Sequence, residues 1–264
     1  MKIFQAGFIV KFVILIFAVS ACATTPTGRR QMRLMGEGQM DQMGDSSFSE
    51  MQKKLPVSTN PQYNAMVRCI SIALLKAMGT NPNEWDIKVF DDKSPNAFAL
   101  PGNNIGVHTG MITLVQNQHQ LAAVIGHEIG HVLAHHGNER VSQSMISQTG
   151  MQVAGAVLGN GSQSDQLILA GLGLGAQFGV LLPFSRKQET EADRMGVEYM
   201  AKAGFDPTQA AALWQVMSAA SGGGGQPEFM STHPSAASRI ADLTAYAKGY
   251  VATYQNAPIK PQCK

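Results

Sequence analysis

The chain has 264 residues, with 20 basic and 18 acidic side chains; 44% of it is apolar and 14% charged. The apolar share is that of a globular protein and excludes intrinsic disorder, while the near-neutral balance argues against nucleic acid as a partner. Three cysteines are too few for a disulfide scaffold.

Residues 1–21 read as an export signal. Lys2 and Lys11 carry positive charge, the run Phe12–Val19 is wholly apolar, and small residues follow at Ser20 and Ala21. The run is too short to span a membrane. Val19-Ser20-Ala21-Cys22 resembles a bacterial lipobox, which predicts lipidation at Cys22. Ala23 rather than Asp follows, the sorting pattern of an outer-membrane lipoprotein facing the periplasm. Both lysines of this segment leave with it, and 18 charges of each sign remain.

Residues 22–55 are expected to form a lipidated tether, extended over 23–32, and an amphipathic helix over 33–54 interrupted by Gly36 and Gly38. Residues 56–264 are expected to be one domain. Asn60-Pro61 opens a helix to about residue 78. Trp85, Ile87 and Val89 alternate as in a strand, and 96–100 with 105–108 flank the hairpin turn Pro101-Gly102-Asn103-Asn104. Asn117 and Gln120 have capping-box spacing and open a helix running to Gly137; Ser185 and Gln188 open another, stopping at Gly204. Asp206-Pro207 starts a third that ends by Ser221, and a last runs from about Ser235 to Gly249. The pattern predicts an α+β fold, mostly helical with a small antiparallel sheet. Between 141 and 184 only Asp165 is charged; this stretch is expected to form buried or loosely packed helices near the active site, or a mobile cover over its cleft. Whether Cys69 and Cys263 pair is left open.

The chemistry centres on His127-Glu128-Ile129-Gly130-His131, an H-E-x-x-H placed on a helix. One turn separates the histidines, so both imidazoles can grip one ion on one face. Glu128 is placed to take the proton of a water polarised by that ion and to pass it to a leaving amine. His135 shares that face but lies about 12 Å along the helix from His127. It and His136 are therefore assigned to the surface or to a second layer. Ala134 and Gly137 exclude the metzincin pattern. A third ligand must come from elsewhere. In Glu189-Thr190-Glu191-Ala192-Asp193, Glu189 and Asp193 share a face, so one can ligate while the other orients an imidazole. Spacing alone leaves Glu191 as a competitor.

At this point the chain resembles the HtpX/BepA/LoiP-like zinc endopeptidases, relatives of the CAAX prenyl endopeptidases and the mitochondrial Oma-type protease. The likeness runs from about Thr27 to Leu243 and includes TGRRQ, NAFALPG, HEIGH, SRKQETEAD, STHPS and SRI. It implies a gluzincin-type zincin domain with one zinc ion per chain, held by His127, His131 and Glu189. Asp193 would stand behind the ligands and Glu128 would be the catalytic base. It also implies that His233 can occupy the fourth metal position and hold the enzyme latent. Zincins bind substrate as an added strand, which gives Asn96, Ala97, Phe98 and Ala99 that role. The implied substrates are misfolded or stalled envelope proteins, and outer-membrane assembly machinery is a candidate partner. A BepA-type tetratricopeptide domain is not expected. The rival function is a zinc-containing chaperone or assembly factor without proteolysis.

Overall fold

The computed structural model describes residues 22–158, 184–221, 228–233 and 237–264. The export signal and most of the uncharged stretch, 159–183, lie outside them, and with the latter the expectation of a cover over the cleft. Among the described residues no helix is long and apolar enough to cross a membrane.

The order of elements follows the local signals closely. A ribbon of β1 (Cys22–Thr24) and β2 (Arg30–Met32) is followed by α1 (Glu37–Lys54) and α2 (Pro61–Ala77). Residues 23–32 are thus a folded hairpin rather than an extended tether. Asn60 caps α2 by accepting from the amides of Gln62 and Tyr63. Strands β3 (Asp86–Phe90), β4 (Ala97–Leu100) and β5 (Asn104–His108) form one sheet in the order β3-β5-β4. The β4–β5 hairpin is antiparallel as expected, but β3 joins β5 in parallel, so the sheet is mixed. The physical reason is the chain path: after β3 the chain makes β4 at the far edge and returns as β5 between them, so no tight turn joins β3 to β5.

Helices α3 (Thr109–Leu114), α4 (Gln118–Leu133), α5 (His136–Leu158), α6 (Arg186–Lys202), α7 (Gln209–Ser221), α8 (Glu228–Thr232), α9 (Ala237–Lys248) and α10 (Val251–Gln255) complete the fold. Asn117 caps α4 through the amides of His119 and Gln120, whereas the Gln120 side chain accepts from the Gln116 amide at 2.9 Å instead of closing a box. At α6 the Ser185–Gln188 box is complete.

The expected helix to Gly137 breaks two residues early. His135 adopts φ 54°, a left-handed conformation that ends α4 and starts α5 in a new direction. This break decides where His136 goes, as described below.

Helices α4 and α6 form the centre of the molecule. Leu121, Ile125 and Ile129 are buried on α4, and Ala192, Met195, Val197 and Met200 on α6. They approach closely because glycines face each other: a Cβ on Gly126 would lie 3.5 Å from Cα of Gly196, and one on Gly196 would lie 3.1 Å from the His127 nitrogen. Cys69 of α2 and Cys263 are disulfide-bonded. The tail is further held where the Cys263 amide donates to Gln118 Oε1 at 2.7 Å.

Candidate metal centre

His127, His131, Glu189 and His233 are buried, and one ligand atom from each lies within 4.8 Å of all the others. Helix α4 supplies the first two, α6 the third, and the residue just after α8 the fourth. His127 Nε2 is 3.0 Å from His131 Nε2 and 3.2 Å from His233 Nδ1. Glu189 Oε1 is 2.9 Å from His233 Nδ1 and 3.4 Å from His131 Nε2. A tetrahedron with bonds of 2.0–2.1 Å has edges of about 3.3–3.4 Å. These separations, with three imidazoles and a carboxylate as donors, fit a zinc-sized ion.

Each ligand is oriented from behind. His127 Nδ1 is 2.9 Å from Asp193 Oδ1, which accepts its proton and leaves Nε2 for the centre. Arg239 holds Asp193 in turn, donating from Nε at 2.5 Å and from Nη2 at 2.8 Å, and its Nη1 reaches Glu189 Oε2 at 2.5 Å. The guanidinium lies 3.8 Å from the Trp214 ring centroid. Burial would raise the Asp193 carboxyl, but Arg239 holds it below the ordinary aspartate range. Burial would likewise raise Glu189, and the three imidazoles keep it well below the ordinary glutamate range.

His131 is oriented by a histidine. Had α4 continued, His136 would lie about 140° round the helix from His131. The turn at His135 brings it back, with His136 Nδ1 2.8 Å from His131 Nδ1 and His136 Nε2 3.1 Å from Glu191 Oε2. A carboxylate only accepts, so His136 carries its proton on Nε2 and accepts one from His131 Nδ1–H. That leaves His131 Nε2 unprotonated toward the centre. Burial, with the neighbouring imidazoles, pushes His131 well below its ordinary value and keeps it neutral. His136 is fully buried, a second-layer residue, whereas the His135 side chain is partly exposed.

His233 is held between two aromatic faces, Phe229 at 4.4 Å and Phe184 at 5.1 Å between ring centroids. Its Nε2 is 3.4 Å from Glu128 Oε1, a buried oxygen that makes no hydrogen bond among the described residues. Burial raises the Glu128 carboxyl above its ordinary value, against the lowering pull of His233, His127 and the Ala99 amide.

The hairpin lies against this group. The His108 amide donates to Asn96 O at 2.9 Å, so Asn96, Phe98 and Leu100 bond to β5 while Ala97 and Ala99 turn their backbone groups outward. Among the described residues strand β4 pairs only with β5, and the Ala99 amide bonds to the Glu128 carboxylate. A cavity of about 210 Å³ opens beside His131, lined in part by Met40, Leu100, Val132, Leu133 and Phe184.

His127, Glu128, His131, Glu189 and His233 come together here, with Asp193 behind His127. Residues 61–247 match the model of peptidase family M48. The chain belongs to that family. It is 35% identical over 202 residues to the mitochondrial metalloendopeptidase OMA1 of Schizosaccharomyces pombe, covering 75% of this chain and 58% of that protein. It is 27% identical over 231 residues to the beta-barrel assembly-enhancing protease of Escherichia coli, covering 86% and 47%. Bovine metalloendopeptidase OMA1 is 29% identical over 231 residues, covering 82% and 44%. The chain thus spans about half the length of the curated relatives it matches.

Of the two acids that spacing left open, Glu189 faces His127, His131 and His233, and Glu191 points away to His136. The sequence assigns no role to Arg239 and Arg29, and leaves His136 between the surface and a second layer. Arg239 and Arg29 lie inside the SRI and TGRRQ segments, so the signal was their presence in a shared motif.

Proposed function

We propose that this chain is a zinc-dependent metalloendopeptidase of the bacterial envelope. The observation that carries this is Glu128: a buried carboxylate with one oxygen unbonded among the described residues, beside a His-His-Glu set and next to the outward-turned edge of β4. A metal kept only for structure needs no such base. The names of the relatives, metalloendopeptidase and protease, support the same activity.

Bound zinc would polarise the scissile carbonyl and acidify an attacking water. The residues do the rest. His127, His131 and Glu189 hold the ion, and Glu128 accepts the proton of the water and returns it to the leaving amine. Ala97, with Asn96, Phe98 and Ala99 around it, aligns an extended substrate through its backbone. Such pairing is tolerant of sequence and suits unfolded or misfolded envelope proteins as substrates. The cavity beside His131 is the place for an apolar substrate side chain. Lipid at Cys22 would hold the enzyme on the periplasmic face of the outer membrane, near its assembly machinery.

One observation favours a latent form, in which the chain acts as an assembly factor until opened: His233 sits where a fourth ligand belongs. Zinc content and cleavage of an unfolded protein by the wild type and Glu128→Gln separate these functions. The protease predicts equal zinc in both and a loss of about 10²–10⁴-fold in cleavage for the variant. Equal cleavage by both discards the mechanism, and zinc without cleavage by either points to latency or an assembly role.

A further inference from the structure

The N-terminal ribbon is tied to the metal centre from behind. Arg29, at the end of the β1–β2 turn, donates from Nη1 and Nη2 to the two oxygens of Glu139 at 2.8 and 2.7 Å, and from Nε to Glu191 Oε2 at 2.5 Å. Thr27 Oγ1 donates to the other Glu191 oxygen. Glu191 then meets His136 at 3.1 Å, and His136 meets the ligand His131 at 2.8 Å. Three contacts separate a guanidinium on the ribbon from a metal ligand on α4.

We infer that Arg29 is a positioning residue for His131, acting through Glu191 and His136, and that the ribbon is a working part of the metal centre rather than a spacer. The inference rests on the metal site proposed above. Arg29 does what a Lys cannot: its planar fork satisfies two carboxylates from different helices at once, Glu139 of α5 and Glu191 of α6. Those two helices carry the flanks of the site, and Gln188 Nε2 closes the same ring by donating to Glu139 Oε2 at 2.8 Å. With Arg29 in place, Glu191 is aimed at His136 Nε2–H and fixes that tautomer. A Glu191 freed to turn away no longer does so. His136 can then carry its proton on Nδ1, where it faces the Nδ1–H of His131. Two donors cannot share that contact, so His131 must rotate or move its proton to Nε2, the atom that faces the metal. Either change weakens ligation without touching a ligand.

The test is zinc affinity of the full chain by competition with a chromogenic chelator, for wild type, Arg29→Ala, His136→Gln and the double variant. Partners behind a ligand are typically worth about 10–100-fold in metal affinity. Arg29→Ala is expected to weaken zinc by about tenfold or more, and the double variant to bind no worse than His136→Gln alone, since both act along one path. A merely structural Arg29 would lower the melting temperature of the metal-free protein and leave zinc affinity unchanged; that result, or losses that add in the double variant, overturns the inference. Should Arg29→Ala not fold, Arg29→Lys keeps the charge without the fork; it is expected to bind zinc several-fold more weakly, and unchanged affinity again overturns the proposal. A wild type that binds no zinc overturns the metal site and the inference together, whereas equal binding by wild type and variants overturns only the inference.

Discussion

His233 Nδ1 stands 2.9 Å from Oε1 of Glu189, with the imidazole held between Phe229 and Phe184. In the proposed zinc site the ring would fill the position kept open for water, and its other nitrogen faces the proposed base Glu128. Replacing His233 by Ala is expected to raise cleavage of an unfolded protein several-fold, measured beside the zinc content of each protein. Unchanged or lost activity with zinc retained contradicts the latch.

The close approach of α4 and α6 makes a second prediction. A Cβ at Gly196 meets the His127 backbone at 3.1 Å, so Gly196→Val must push the two helices apart. Overpacking of this kind costs about 1–3 kcal/mol. The variant should melt lower and also bind zinc more weakly, because His127 and Glu189 sit on the two helices being separated. Zinc affinity equal to wild type would show that the ligand set does not depend on this contact.

Glu191 sets a pH dependence of stability. Burial would raise its carboxyl, but hydrogen bonds from His136, Thr25, Thr27 and Arg29 hold it far below the ordinary glutamate range. A carboxyl depressed by folding stabilises the native state above its unfolded value, about 4.3, and this contribution is lost as pH falls toward the folded value. With chelator present, wild type should be more stable than Glu191→Gln near neutral pH, and the gap should narrow below about pH 4. A gap independent of pH would remove Glu191 as its source.

The Cys69–Cys263 bond ties the C-terminal tail to α2 across 194 residues of sequence. Its loss should lower unfolding free energy by about 2–5 kcal/mol. Denaturant unfolding of wild type and a Cys69→Ala, Cys263→Ala double variant measures it. The effect should reach α4, because Gln118 Nε2 donates to Pro261 O at 2.9 Å and so links the same tail to the start of that helix. Hydrogen exchange in the first turn of α4 should rise in the variant.

The sequence by itself determined the local elements and the core of the site. Capping residues and turn glycines are short-range signals, and they placed α2, the hairpin and α6 near their observed limits. The spacing of His127 and His131 is a property of one helix turn, so their shared face needed no tertiary information. Which acid completes the ligand set is different, since Glu189 and Glu191 are equally available on spacing and motif resemblance was needed to choose. Only the tertiary structure decided the rest. It turned residues 23–32 into a ribbon and set β3 parallel to β5. It bent the chain at His135 so that His136 supports His131, and it brought Arg239 to Asp193 and Arg29 to Glu191. These are contacts between groups up to 162 residues apart, made by packing that buries charge and must therefore pair it. Periodicity and capping report a chain's own next few residues; the partners of a buried charge come from wherever the fold puts them.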